Sequence, residues 1–311
     1  MESAHALQVD RQMLIAHVKA LEGERHPFLS RKRLDAALEY VRSRWQSYGL
    51  AVASDEFSYI GERFVNLIAR PHTKYSPSLS SQAFGAGACP SGPRFIIGAH
   101  VDTVPGSPGA DDNASGVASL LEISRIIARQ PAPPPVEFVA FTLEELGMVG
   151  SAHYATMLRR AKIGVLGMLS LEMLGFTESQ GRQNYPWFLR NRFPAIGNYL
   201  GLAGNRRSRS LLEMVARSMR SIEGLPIETL ILPGNGWAFP EARLSDHSPF
   251  WDRGYPALLL TDTAFFRNPH YHQPSDTIET LDLAFLEKAT QGLLAAIGTL
   301  ASSEFEVRGA E

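Results

Sequence analysis

Residues 9–22 and 31–48 place apolar side chains at helical spacing, the second stretch with Leu34, Ala37, Leu38, Tyr40, Val41 and Trp45 before Tyr48-Gly49. Both predict amphipathic helices. Residues 51–57 and 63–69 carry strand patterns, and residues 71–93, rich in Ser, Gly and Pro, predict a long surface loop. From residue 94 onward the pattern changes to short continuous apolar runs at residues 94–99, 136–141, 164–171 and 256–261. Each is too short for a helix and too uniformly apolar for a sheet with one wet face, which predicts buried strands. Between the first two runs, residues 114–129 set Val117, Leu120, Leu121, Ile123, Ile126 and Ile127 at helical spacing, followed by a Pro-rich exit. Strand, helix, strand in that order predicts a three-layer α/β/α fold on a largely parallel sheet. Further helices are expected over 208–222 and 283–300. Residues 176–207 fit neither period and hold Tyr185, Trp187, Phe188, Phe193 and Tyr199 among many Arg and Gly, so an elaborated loop or lid is expected there.

Composition narrows the chemistry. With 44% hydrophobic and 20% charged residues, the 311-residue chain has ample material for a core. Lys plus Arg number 30 against 32 Asp plus Glu, a formal charge of −2, so no global basic field exists to gather nucleic acid or an anionic membrane. Cys89 is the one cysteine, so any metal must be held by His and carboxylate. The start of the chain lacks the basic and apolar segments of a secretory signal, and the expected location is cytoplasmic. The oligomeric state is not written in the sequence.

In open α/β sheets, ligands bind beyond the carboxyl ends of the strands. The first apolar run ends in His100-Val-Asp102, and a loop then reaches Gly109-Ala-Asp111-Asp112-Asn113-Ala-Ser-Gly116. The second ends in Glu144-Glu145-Leu-Gly147, the third in Glu172, and the fourth leads through Asp262 to His270-Tyr-His272. Taken singly, each acid reads as a helix cap or a solvated side chain. Together they crowd negative charge into one place, and a divalent metal centre resolves that repulsion. His100 and Asp102 share a face of extended chain, so Asp102 is expected to hydrogen-bond the imidazole and fix its tautomer. Glu144 and Glu145 diverge, which divides them into one metal ligand and one general base.

These four motifs, His-x-Asp, Gly-Ala-Asp-Asp-Asn-x-Ser-Gly, Glu-Glu-x-Gly and Tyr-His-x-x-x-Asp, resemble the zinc aminopeptidases of the M28 peptidase family over residues 94–280. The resemblance implies one mixed sheet of eight strands flanked by helices, and two cocatalytic Zn²⁺ ions. It implies that Asp111 bridges the ions, that His100 and Glu172 complete one site, and that Glu145 and His272 complete the other. Glu144 then matches the catalytic base, Asp102 the residue orienting the first histidine, and Asp111-Asp112 a cis peptide. Glu172 departs from the commonest pattern, which has Asp there, and the motif favours His272 over His270.

The implied reaction is hydrolysis of the N-terminal peptide bond of a peptide by a metal-bridged water, with Glu144 as general base and a peptide with a free N-terminus as partner. Because motifs from residue 100 to residue 272 must converge, a single catalytic domain over 1–311 is expected, with loop insertions near 71–93 and 176–207. Ser245-Asp246-His247 also resembles a family motif; three consecutive residues cannot form a hydrolase triad, so a structural or substrate-side role is expected. His5, His17, His26, His72 and His153 are expected in surface or structural roles. Aromatic residues in 185–199 and 237–239 either line a pocket for a large apolar N-terminal side chain or pack the lid. Two other readings stay open: a glutaminyl cyclase-like enzyme with one zinc, and a non-catalytic binding protein on the peptidase fold.

Overall fold

The four apolar runs form the centre of one eight-stranded sheet. The computed structural model describes residues 8–72 and 93–302 except 182 and 188, so the loop expected at 71–93, with Cys89, lies outside the described residues apart from its ends. The strands are β1 (Ala51–Tyr59), β2 (Glu62–Arg70), β3 (Arg94–His100), β4 (Val136–Phe141), β5 (Val165–Glu172), β6 (Leu200–Asn205), β7 (Ile227–Leu232) and β8 (Ala257–Thr261). Their order across the sheet is β1-β2-β4-β3-β5-β8-β6-β7. β4, β3, β5 and β8 run parallel, whereas β2 is antiparallel to β4 and β6 antiparallel to β8. The result is the mixed three-layer sandwich that the sequence predicts.

Alternation along each strand assigns side chains to two layers. On one face, Leu169 and Leu171 of β5 and Leu258 and Leu260 of β8 pack against α1 (Arg11–Leu21), α2 (Arg31–Ser47), α3 (Gly116–Ala128), α5 (Arg209–Met219) and α7 (Leu283–Ser302). On the other, Met168 and Ala257 meet α4 (Val149–Arg160) and α6 (His247–Asp252) through Tyr154, Leu158, Phe250 and Trp251. Helix α1 starts where Asp10 accepts hydrogen bonds from the Gln12 and Met13 amides. No described helix is long and apolar enough to cross a membrane.

One expectation needs correction. The stretch 176–207 is not all loop, because residues 200–205 form β6, an inner strand between β8 and β7. Its sequence, Leu-Gly-Leu-Ala-Gly-Asn, contains two glycines and carries almost no strand propensity of its own. Pairing on both sides, rather than local preference, holds it in the sheet.

Candidate metal centre

His100 closes β3 with its ring buried, and its Nδ1 lies 3.2 Å from the Asp102 carbonyl oxygen. A proton on Nδ1 leaves Nε2 with a free lone pair facing the site. That Nε2 stands 3.3 Å from Asp112 Oδ1 and 3.3 Å from Glu172 Oε1. The second oxygen of Asp112, Oδ2, lies 3.2 Å from His272 Nε2, which is 3.1 Å from Glu145 Oε2. Two groups of metal-binding donors, His100–Asp112–Glu172 and Asp112–Glu145–His272, therefore share one carboxylate. Glu144 joins His100 and Glu145 in a third grouping at the same place.

Several observations mark this cluster as a cation site. His272 Nε2 and Glu145 Oε1 are buried and make no hydrogen bond, which leaves two unsatisfied polar atoms in the cluster. Burial opposes a proton on His272, but the close approach of Asp112 and Glu145 outweighs it and raises the imidazole to about 10. His100 follows the same logic: burial works against its charge, yet Glu172, Glu144 and Asp112 hold it well above its ordinary value. Burial, reinforced by Asp112, lifts Glu145 to about 7. Burial likewise raises Glu144 well above the usual carboxylate range, with His100 opposing and Glu172 and Glu145 adding to the rise. The cluster thus demands positive charge, and its nitrogen and oxygen donors suit a zinc-like divalent ion.

The surrounding loops are tied down. Gly109 has φ +63°, and a side chain there would run into the Asp112 carbonyl oxygen. Asp276 accepts from the Asp111 and Asp112 amides at 2.8 and 3.1 Å, which explains the acid at the end of the Tyr-His-x-x-x-Asp motif. Asn113 donates to the Leu171 carbonyl at 2.8 Å and accepts from the Met173 amide at 3.1 Å, fastening the loop to the exit of β5. Ser245 donates to Glu172 Oε2 at 2.7 Å, and the Tyr271 ring stacks on His272 with centroids 3.7 Å apart. Leu143, Met173 and His272 all have positive φ, so the chain turns sharply at each of these loops.

Asp112, and not Asp111, occupies the shared position. Asp111 turns the other way, accepting from the Gly175 amide at 2.9 Å and from Asn268 Nδ2 at 2.8 Å. Burial and the adjacent Asp262 carboxylate push its acid well above the usual range, and it stands behind the site, outside both donor groups. The cis peptide likewise follows Asp112, joining it to Asn113, rather than linking Asp111 to Asp112.

Asp102 also works differently from expectation. Its carboxylate lies 3.9 Å from His100 Nδ1 and instead accepts the Glu144 and Glu145 amides, each at 3.2 Å; the tautomer is set by its backbone carbonyl. His270 faces Ser275 and Phe176 outside the donor groups, whereas His272 is within them. In the 245–247 motif, Ser245 supports Glu172, and His247 bonds the Ala242 carbonyl at 2.9 Å against Trp251. Ser245 and Asn268 were not assigned such contacts from sequence, since neither residue type signals what it will touch.

Beside Glu172 lies an open pocket whose aromatic walls include Tyr185, Phe193, Phe239 and Phe266. Tyr185, Phe193 and Tyr199 of the 185–199 segment therefore line a pocket, whereas Trp187 and Trp237 point mainly to solvent, 81% and 68% exposed.

A family model for Peptidase family M28 matches residues 87–297. The chain is 32% identical over 279 residues to an uncharacterized protein of Escherichia coli, YfbL, covering 85% of this chain and 80% of that one. It is 29% identical over 209 residues to the aminopeptidase YwaD of Bacillus subtilis, covering 65% of this chain but only 40% of the relative's length. Among solved structures, the LapA aminopeptidase of Legionella pneumophila superposes with a TM-score of 0.71 at 18% identity, covering 95% of this chain and 73% of that one. That likeness speaks for the fold.

Proposed function

The chain belongs to Peptidase family M28, and from that premise we propose that it is a zinc-dependent aminopeptidase with two ions per chain, acting on peptides with a free N-terminus. The observation that carries this reading is the Asp112 carboxylate, whose two oxygens belong to two different donor groups. In this reading His100, Asp112 and Glu172 hold one ion, and Asp112, Glu145 and His272 the other.

When bound, the ions supply Lewis acidity to the scissile carbonyl and lower the pKa of the attacking water. Glu144 performs the proton chemistry. Its carboxylate accepts the proton of that water and passes it to the departing amine nitrogen. Asp102 positions it by binding the Glu144 amide, and Ser245 orients Glu172. The aromatic pocket beside Glu172 excludes water and receives the side chain of the residue to be released.

The test is reconstitution of chelator-stripped protein with one and then two equivalents of zinc, followed by elemental analysis and a leucyl-peptide assay. Two bound ions with hydrolysis that chelation abolishes is the expected result. One bound ion with cyclisation of glutaminyl peptides would replace this reading with the cyclase-like one, and tight zinc binding without turnover of any peptide would leave a binding protein. The cytoplasmic location and the single domain over 1–311 belong to the same proposal.

A further inference from the structure

The pocket beside Glu172 is mostly apolar, yet two carboxylates, Glu228 and Glu241, are among its lining residues. Both are half-buried, and neither is paired with a cation among the described residues. The nearest cation in sequence to Glu241 is already committed: Arg243 donates to Asp252 at 2.8 Å and to the Asn235 carbonyl at 2.6 Å, and lies 3.6 Å from the Trp237 ring centre.

Sheet register explains where Glu228 stands. Glu172 of β5 pairs with Thr261 of β8, Thr261 with Gly201 of β6, and Gly201 with Glu228 of β7. Paired residues share a face, so these four form one row running from the proposed metal ligand outward. Three strand spacings separate its ends, about 14 Å. In the next row Ala203 of β6 lies between Leu259 and Leu230. Gly201 and Ala203 thus sink the middle of the floor into a trough, and a Cβ on Gly201 would come within 3.3 Å of Thr263.

A side chain entering from the Glu172 end must cross Thr261 and Gly201 before it reaches Glu228. Short apolar side chains stop over the trough and leave two partly desolvated carboxylates without a partner. A long aliphatic stem ending in a cation fills the trough, lies against Tyr185 and Phe266, and delivers its charge to the acidic end. A guanidinium adds stacking on the aromatic walls.

We propose that this pocket selects arginine or lysine as the N-terminal residue, with Glu228 and Glu241 as the specificity-determining groups. The proposal rests on the aminopeptidase reading for its substrate, so its test includes binding as well as turnover. The zinc-reconstituted protein is titrated calorimetrically with L-arginine and with L-citrulline, which has the same shape without the charge. In parallel, kcat/KM is compared for arginyl, lysyl, norleucyl and leucyl chromogenic amides. Half-exposed ion pairs predict a preference of about five- to tenfold for arginine over citrulline, and of arginyl and lysyl over norleucyl amides. Glu228→Gln and Glu241→Gln should each shrink both ratios.

Equal binding of arginine and citrulline, or norleucyl amides hydrolysed as well as lysyl ones, overturns the proposal. So does a preference for arginine that both glutamine variants leave intact. Selective arginine binding without hydrolysis of any aminoacyl amide keeps the subsite and removes the aminopeptidase reading instead.

Discussion

Asp111→Asn and Asp112→Asn exchange the same atoms at adjacent residues, yet the geometry assigns them different outcomes. The oxygens of Asp112 lie 3.3 and 3.2 Å from His100 and His272, in the two donor groups. A carboxylate about 4 Å from a unit positive charge is worth about 4 kcal/mol at an effective dielectric near 20, and a divalent ion doubles that to about 8. Relief of the carboxylate's own desolvation removes about half. The remaining loss of about 4 kcal/mol per ion is about a thousandfold in affinity. Asp111 belongs to neither donor group, so its replacement by an amide of the same shape removes no ligand from the site. It disturbs hydrogen bonds to Gly175 and Asn268, which costs about 1–3 kcal/mol of folding stability. Zinc affinity by chelator competition, with thermal melts as a folding control, distinguishes them: Asp112→Asn should lose zinc and stay folded, whereas Asp111→Asn should melt earlier and hold zinc within about tenfold. Loss of zinc in Asp111→Asn with retention in Asp112→Asn would refute the assignment of the shared ligand.

Glu144→Gln should lower kcat by about 10²- to 10⁴-fold while zinc stoichiometry stays unchanged, and turnover close to the parent's would remove Glu144 from the proton pathway. Ser245→Ala, which releases Glu172 Oε2, should weaken zinc binding or activity by about 10- to 100-fold, detectable in the same chelator titration; unchanged affinity and rate would mean that Glu172 needs no support. Stability should fall in mild acid through buried neutral histidines. Burial lowers His17 to about 4 and His247 to about 3, so the unfolded chain binds protons near pH 6.5 that the folded chain refuses. Their contribution is complete above about pH 6.5 and is lost as pH falls toward 4 and 3, about 2 kcal/mol per histidine at pH 5. Urea unfolding at pH 7 and 5 should show that His17→Gln removes about 2 kcal/mol of this slope, and identical slopes would contradict the shift.

The parts of the fold that were readable from sequence are those whose local pattern agrees with their final environment. β3, β4, β5 and β8 are buried on both faces, so they appear as continuous apolar runs. β6 carries Gly201, which serves the trough, and Gly204, which makes room for Leu258 and Leu212 on the other face, and both read as loop, while β7, Ile-Glu-Thr-Leu-Ile-Leu, is a half-exposed edge strand whose polar positions line the pocket. Helix α4 leaves no helical pattern in the sequence, because Val-Gly-Ser-Ala-His-Tyr-Ala-Thr has few apolar residues to mark a face. At the site, residue types and strand ends were legible, since charge crowding depends on composition and order alone. Which of two adjacent aspartates faces inward was not, because that depends on backbone dihedrals: Asp112 and Asn113 leave the helical region and send the two carboxylates in different directions.

The Asp102 carboxylate binds two consecutive amides, those of Glu144 and Glu145. Consecutive Cα atoms across a trans peptide are fixed about 3.8 Å apart by covalent geometry. The proposed proton carrier and the proposed ligand therefore ride on one peptide unit, held by Asp102 on its amide side and by the Gly147 and Met148 amides on the Glu144 carbonyl. Any rocking of this turn displaces both residues together, so the spacing of their Cα atoms is set by bond lengths rather than by the accuracy with which two separate loops pack. A pair of jobs that most arrangements would have to align across the fold is here aligned by neighbouring positions in the chain.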